Sequence, residues 1–498
     1  NLFRRFQGAV TDPARPLIRL PDKAPLSYAD CFDMAARLAH VLARHGVKPG
    51  DRVAVQVEKS PNALCLYLAC LRVGAIYLPL NTGYTPSELI YFVGDAEPKL
   101  FVCASKNLEK ISASLPDVAF LTLDDDGKDG SLIREAVGQP AEFMDAAVGL
   151  SDLASILYTS GTTGRSKGAM LTHGNLVSNA ETLKNLWRFT QDDVLLHALP
   201  IFHIHGLFVA SNVTLISGAS MILLPKFDLD AIFQALPSAT VMMGVPTFYT
   251  RLLADPRLGP EVTRHIRLFV SGSAPLLAET HREWQARTGH AILERYGMTE
   301  TNMNTSNPYE GARVPGSVGL PLPGVELRIA GKDGAVLPQG EIGLIEVRGP
   351  NVFQGYWRMP DKTAAEFRAD GFFITGDLGR IDESGYVHIL GRDKDLIISG
   401  GFNVYPKEIE SLIDELPGVL ESAVVGLPHR DFGEGVTACV VTTEGASLSE
   451  KEVLEALSGR LAKFKHPKRV LFVDALPRNT MGKVQKNLIR AQFSKLYD

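Results

Sequence analysis

The string with the most chemical content is Tyr158-Thr-Ser-Gly-Thr-Thr-Gly-Arg-Ser-Lys-Gly168. Its glycines let backbone N–H groups approach an anion closely, its hydroxyls add donors, and Lys167 adds positive charge. Phosphate is the natural ligand of such a set. The string is not a Walker A loop, because Gly168 rather than Ser or Thr follows the lysine and Ser166 precedes it. For an arbitrary Ser/Gly/Thr stretch a surface loop is the alternative reading.

Four further strings follow in order: Glu294-Arg-Tyr-Gly-Met-Thr-Glu300, Phe373-Ile-Thr-Gly-Asp377, Gly391-Arg392 and Pro477-Arg-Asn-Thr-Met-Gly-Lys483. Singly, each reads as a turn or a solvated segment. Together, and in this order, they resemble the core motifs of the adenylate-forming superfamily, which includes acyl-CoA synthetases, beetle luciferases and the adenylation domains of peptide synthetases. The resemblance runs over nearly the whole chain. It implies a ligase that uses ATP and Mg2+ to activate a carboxylic acid as an acyl-adenylate and then passes the acyl group to coenzyme A.

The resemblance also implies roles. Thr159, Ser160, Gly161, Thr162, Thr163, Gly164 and Lys167 would hold the ATP phosphates. Tyr296 would lie along the adenine, with Gly272, Ser273, Ala274 and Pro275 lining the purine site and Gly297 and Met298 beside it. Thr299 would contact a phosphate. Glu300, with Thr159, would serve Mg2+. Asp377 would hold both ribose hydroxyls, assisted by Arg392. His203, in Pro200-Ile-Phe-His-Ile-His-Gly206, matches a histidine that flanks the acyl site. The i, i+2 pair His203/His205 has no Cys, Asp or Glu nearby in sequence, which argues against zinc. Lys483 would bridge the carboxylate and the α-phosphate. The chemistry demands such a group, because two anions must meet and their repulsion needs a cation at the meeting point.

The thiol step that follows needs no such lysine but does need a channel, which the superfamily opens by rotating its C-terminal domain. The hinge matches Lys394, and Gly400, Gly401 and Phe402 would then flank the pantetheine arm. Many relatives carry a lysine where this chain has Ser399. An amine that bridges two anions loses that function when acetylated. Reversible acetylation of Lys483, by an acetyltransferase and a deacetylase, is therefore expected as an off-switch.

Two arginines bear on which acid is used. Arg295 directly precedes Tyr296, and Arg251 lies in Gly244-Val-Pro-Thr-Phe-Tyr-Thr-Arg251, a segment that borders the acyl pocket in relatives. A buried guanidinium is costly without an anion, and its fork suits a carboxylate. With the resemblance of the segments 200–207 and 293–303 to malonyl-CoA synthetases, this points to malonate, with methylmalonate tolerated. Ser273 would add a hydrogen bond, and Ile204 and Met303 would shape the space around the α-carbon. The alternatives are that the arginines pair with Glu294 or Glu283, and that the acid is fatty or aromatic. A module that loads a carrier protein, a luciferase-like oxygenase and a non-enzymatic relative are the more distant alternatives. No carrier-type segment is expected at the end of this sequence, and both Lys483 and Glu300 are present.

The elements that must position these groups form an α/β pattern. Strand-like runs such as Arg52-Val-Ala-Val-Gln-Val57 alternate with amphipathic runs such as 62–73, which predicts parallel sheets covered by helices. From about Gly316 the strands become short and Gly-punctuated, suggesting an antiparallel or barrel-like subdomain over 316–393. The expected organisation is an N-terminal adenylation domain over 1–393 and a small mobile α+β lid over 394–498. Bulk properties fit: 498 residues allow about three folding units, and 45% hydrophobic content supports a large core. A net charge of -5 gives no basic face for nucleic acid. Five cysteines without CxxC spacing predict reduced thiols and a cytoplasmic location. The uncharged run 206–225 is span-length, but its Ser, Thr and Asn residues predict a buried helix and strand.

Overall fold

The helix Pro61–Val73 shows how local signals set the frame. Ser60 caps it by accepting from the Ala63 N–H, Pro61 sits where a missing N–H costs nothing, and Gly74 ends it at φ 77°. Every residue from Ala63 to Val73 is buried, as expected of a helix apolar around its whole circumference. It packs on the helix Tyr28–Arg44 and feeds the strand Ile76–Pro79. A computed structural model of the chain describes all residues except 22, 160–165, 480–481 and 498.

Two parallel-rich sheets form the large domain. One has six strands in the order Ala119–Thr122, Leu100–Cys103, Arg52–Gln56, Ile76–Pro79, Leu153–Thr159, Lys167–Thr172. Every pair is parallel but the last, which is a hairpin. The second sheet has nine strands, parallel from Leu293–Met298 through Leu268–Ser271, Val241–Gly244, Val194–His197 and Ser220–Leu223 to Pro16–Arg19. Thr159 and the segment Gly272–Pro275 stand at the C-terminal ends of two of these strands, where ligands of open α/β sheets bind.

The apolar run 206–225 is a buried π-helix, His205–Ser211, continued by the helix Asn212–Ile216 and the strand Ser220–Leu223. No helix among the described residues is long and apolar enough to cross a membrane.

Residues 326–392 form a four-stranded antiparallel meander, Glu326–Ala330, Gly343–Arg348, Phe373–Ile381 and Val387–Arg392. The short Gly-punctuated strands thus pair antiparallel, and among the described residues the two outer strands do not pair with each other.

Sheet pairing then changes across the 3-10 turn Asp393–Asp395. The following strands, Ile397–Ser399, Phe402–Val404, Val419–His429, Gly433–Thr442 and Arg469–Phe472, form a separate sheet. The helices Pro406–Asp414 and Glu450–Leu457 pack on it over a core that includes Ile397, Ile409, Val424 and Val453, making the α+β unit.

Candidate active site

At the end of the hairpin of the six-stranded sheet, Thr159 and Lys167 of the phosphate-type string pair with each other. Ser160, Gly161, Thr162, Thr163 and Gly164 lie outside the described residues. Lys167 is buried, pairs with Glu366 Oε1 at 3.0 Å and lies 4.0 Å above the Tyr356 ring. The Tyr356 hydroxyl is 2.6 Å from Glu366 Oε2 and 2.9 Å from Glu300 Oε1, so one phenolic proton is shared between two carboxylates. Burial pushes the Glu300 carboxyl above its usual pKa. Tyr356 reaches this point because its segment pairs with the hairpin: Met170 N–H donates to Gly355 O at 3.0 Å, and Trp357 N–H to Gly168 O at 2.8 Å.

Among the described residues no three His, Cys, Asp or Glu side chains gather as a metal-binding group. Mg2+ needs none, since it keeps waters and substrate phosphates and takes one or two protein carboxylates. Glu300, a buried carboxylate beside the lysine of the phosphate hairpin, fits that role.

The residues expected to hold the nucleoside contact one another. Asp377 and Arg392 are cross-strand neighbours in the antiparallel sheet, and Arg392 Nε holds Asp377 Oδ1 at 2.7 Å. The Tyr296 hydroxyl donates to Oδ2 at 2.5 Å. Gly297 cannot carry a side chain, since a Cβ there would lie 1.8 Å from Asn302 O. Met298 and Thr299 are half-buried in the turn that leads to Glu300. The segment Gly272–Pro275 leaves the strand Leu268–Ser271 with Ser273 at φ 72°, a left-handed conformation that is costly for a non-glycine. Ala274 is half-buried and Pro275 exposed.

Arg295 forms the inner wall. It is 4% exposed, and its Nε and Nη2 find no hydrogen-bond partner within the described chain. The guanidinium lies against Gly272, where a Cβ would sit 2.3 Å from Cζ. The internal acids weighed as partners are engaged or remote: Glu294 faces His281 at 3.5 Å, and Glu283 is exposed. Burial pulls the Arg295 pKa down, the sign of a cation lacking a counter-ion. Burial and then the charge on Arg295 hold His203 at about 4 and His205 well below the usual imidazole value, so both rings are neutral. His205 Nδ1 contacts Ser273 Oγ at 3.2 Å. Ile204 and Met303 are buried.

Arg251 differs from expectation. It is exposed in the last turn of the helix Pro246–Leu253, with its guanidinium 5.7 Å over Phe227, so the structure does not bury two arginines together. It does lie one turn beyond Thr247 on the same helix face, and Gly482 packs against Thr247, where a Cβ would meet its side chain at 3.2 Å.

That contact places the C-terminal loop over the site. Lys483 keeps contact with water. Burial of its amine and then the nearby Arg392 charge pull its pKa below the usual lysine value. Its charge in turn helps to lower His203. Lys483, Arg392, Asp377, His203 and Arg295 therefore share one electrostatic neighbourhood. Lys394 sits exposed in the 3-10 turn between the sheets. Gly400 and Gly401, at φ 58° and 81°, form a tight hairpin turn that remains exposed, with Phe402 stacked on Phe464 at 4.6 Å. The sequence reading missed Tyr356 and Glu366 and gave His205 no binding role.

Comparison with known proteins identifies the family. Residues 7–357 match the AMP-binding enzyme family, and 408–483 match the AMP-binding enzyme C-terminal domain. ATP-bound MatB from Rhodopseudomonas palustris is similar at 62% identity, covering 100% of this chain and 99% of that chain with a TM-score of 0.98. The apo form of the same protein superposes at 0.87. Among curated relatives, an indoleacetate–CoA ligase from Aromatoleum aromaticum is 38% identical over 97% of this chain and 96% of its own length. A malonate–CoA ligase from Arabidopsis thaliana is 36% identical over 98% and 89%. The chain belongs to the AMP-binding enzyme family.

Proposed function

We infer that the protein is an AMP-forming malonate–CoA ligase, converting malonate, ATP and CoA to malonyl-CoA, AMP and pyrophosphate, with methylmalonate also accepted. The carrying observation is Arg295, a buried guanidinium with two nitrogens unpartnered among the described residues, at the wall where the non-reacting end of the acid would lie. A buried cation without a partner is costly unless a substrate supplies the anion. A fatty or aromatic acid would leave it unpaired. The similar malonate–CoA ligase supports the same substrate.

The residues divide the work as follows. Tyr296 and the segment Gly272–Pro275 hold the adenine, Asp377 and Arg392 the ribose, and Thr159, Thr299 and Lys167 the phosphates. Glu300 would hold the nucleotide's Mg2+, which supplies charge neutralisation at the phosphates. Arg295, with Ser273 and His205, takes the distal carboxylate. Arg251, on the helix face beneath the C-terminal loop, swings in as the second donor. Lys483 lies between the reacting carboxylate and the α-phosphorus, offsetting their repulsion as the carboxylate oxygen attacks and pyrophosphate leaves. Rotation about Lys394 then exchanges Lys483 for the Gly400–Phe402 hairpin, along which the CoA thiol reaches the mixed anhydride and displaces AMP.

CoA-dependent AMP release measured across malonate, methylmalonate, succinate, acetate, hexanoate and 4-coumarate tests the reading, and malonate should give the highest kcat/KM. A preference for hexanoate or 4-coumarate would leave only the general ligase assignment. The water-accessible Lys483 is also the proposed site of reversible acetylation. Incubation with a lysine acetyltransferase and acetyl-CoA should label it and stop adenylation, and an unlabelled Lys483 rules the switch out. The buried, unpaired cysteines support a reducing, cytoplasmic setting.

A further inference from the structure

Behind the acyl wall lies a second buried basic side chain, the Lys59 amine, that the reaction does not use. Lys59 follows the strand Arg52–Gln56 of one sheet, and His197 ends the strand Val194–His197 of the other. Lys59 is 7% exposed and has no ion pair among the described residues. Its amine donates to His197 O at 2.7 Å and faces His197 Nδ1 at 2.9 Å. Since Nδ1 meets a donor, Nε2 carries the ring proton and donates to Gly206 O at 2.9 Å, with Ser211 Oγ at 3.1 Å. Ser211 Oγ donates to the same carbonyl at 2.9 Å.

Gly206 is the second residue of the π-helix that begins at His205. Its carbonyl thus receives two side-chain donors besides whatever the helix supplies. Its α-carbon is also pressed against the chain, since a Cβ there would lie 2.0 Å from Pro200 O. Both contacts fix the first turn of the helix, and that turn is preceded by His203 and opened by His205. His205 N–H donates to His203 Nδ1 at 3.2 Å, and His205 Nδ1 meets Ser273 Oγ on the loop that cradles Arg295. A continuous set of contacts therefore runs from Lys59 through His197 and Gly206 to the wall at Arg295. π-Helical turns carry a local cost and concentrate at functional sites.

We propose that Lys59 and His197 are positioning residues that set the height of the π-helical turn against Arg295, and so determine how strongly the enzyme selects a dicarboxylate over a monocarboxylate of similar size. The inference rests on the malonate reading. It assigns the inner wall two layers, one that touches substrate and one that holds the first in register.

A buried lysine with no carboxylate partner is a cost to stability, so replacing it with a methionine of similar length should leave the fold intact or more stable. Lys59→Met is therefore the informative variant. It should keep or raise Tm and raise KM for malonate about tenfold while KM for ATP stays within about twofold. The preference for malonate over propionate should shrink by about tenfold as well. His197→Gln, which retains an N–H donor for Gly206 O, should be milder than His197→Leu. Wild-type selectivity is measured first. If the wild type does not favour malonate, the malonate reading fails. If it does, and Lys59→Met keeps both the malonate KM and the preference, the positioning role is overturned. Parallel loss of ATP and malonate affinity in both Lys59→Met and His197→Leu, with Gln no better than Leu, overturns it too.

Discussion

The hydroxyl of Tyr296 donates to Asp377 Oδ2 at 2.5 Å while Arg392 Nε holds Oδ1 at 2.7 Å, so both oxygens of the proposed ribose-binding carboxylate are engaged within the chain. A ribose diol must compete with the phenol for Oδ2. Tyr296→Phe keeps the aromatic face and removes the competitor, so Kd for ATP should stay within about threefold of wild type or fall. Asp377→Ala, which removes the acceptor itself, should raise it by about a hundredfold. Isothermal titration with ATP in the absence of acid reads both, and equal losses in the two variants would place the ribose elsewhere.

Lys483 shares its surroundings with Arg392, Asp377 and His203. Its proposed role belongs to the first half-reaction alone. Lys483→Ala should lower malonate-dependent pyrophosphate exchange by on the order of a thousandfold. Preformed malonyl-AMP with CoA should still yield malonyl-CoA at close to the wild-type rate. Loss of both activities would contradict the division of labour.

The turn Asp393–Asp395 is the short link where one sheet ends and the next begins. Rotation there must be absorbed by a few backbone dihedrals, and proline fixes φ. In Lys394→Pro, pyrophosphate exchange should persist while malonyl-CoA formation falls at least tenfold or so. A hinge elsewhere would leave the two half-reactions affected equally.

Much of this was legible in the sequence because it is local. The helix Pro61–Val73 has its cap, its proline and its terminal glycine within a few positions of one another. The Arg295 side chain could be singled out because it adjoins Tyr296, and its missing partner became visible only when Glu294 was seen to face His281. What stayed hidden depends on long separations. Lys59 and His197 are 138 residues apart and meet only because two sheets abut, and Lys167 and Glu366 are 199 apart. Neither pair has a motif. Short Gly-punctuated strands signalled antiparallel pairing over 326–392, but whether such strands close or stay open depends on their number, which the pattern did not state. Burial of Arg251 was inferred because its segment resembles one that borders the acyl pocket in relatives, and its place on a helix face above Phe227 could not be read from spacing.

His173 gives a pH signature in stability. Leu2 N–H donates to its Nδ1 at 3.2 Å, and burial lowers its pKa from 6.5 to about 4. The unfolded chain therefore binds this proton at higher pH than the folded one. Stability from this group is intact above about pH 6.5 and is lost as pH falls from there toward about 4. His173→Gln, which can still accept from Leu2 but cannot be protonated, should be less sensitive to acid over that interval. Thermal melts of the two proteins from pH 7 to pH 4 make the comparison, and parallel pH slopes would remove His173 from the account.

Selectivity is the most demanding test, because malonate places a recognised carboxylate only one methylene from the reacting one. The recognising group must therefore sit on the inner wall, and Arg295 is a buried cation there with nitrogens unpartnered among the described residues. Removing one member of a buried charge pair costs about 3–5 kcal/mol, or on the order of a hundredfold to a few thousandfold in kcat/KM. Arg295→Ala should lose most malonate activity yet retain, or gain, pyrophosphate exchange with butyrate. Gly272→Ala offers an independent route to the same result, since the added methyl would occupy the space of the guanidinium carbon, 2.3 Å away, and must displace it. The two variants should therefore resemble each other in substrate preference. Arg251→Ala should be milder, because its side chain starts exposed and loses little on removal beyond its contact with Phe227. Succinate and longer dicarboxylates should be poor in the wild type, their distal charge overshooting Arg295. Wild-type malonate kcat/KM in both Arg295→Ala and Gly272→Ala would mean that the unpartnered guanidinium serves something other than the substrate's second carboxylate.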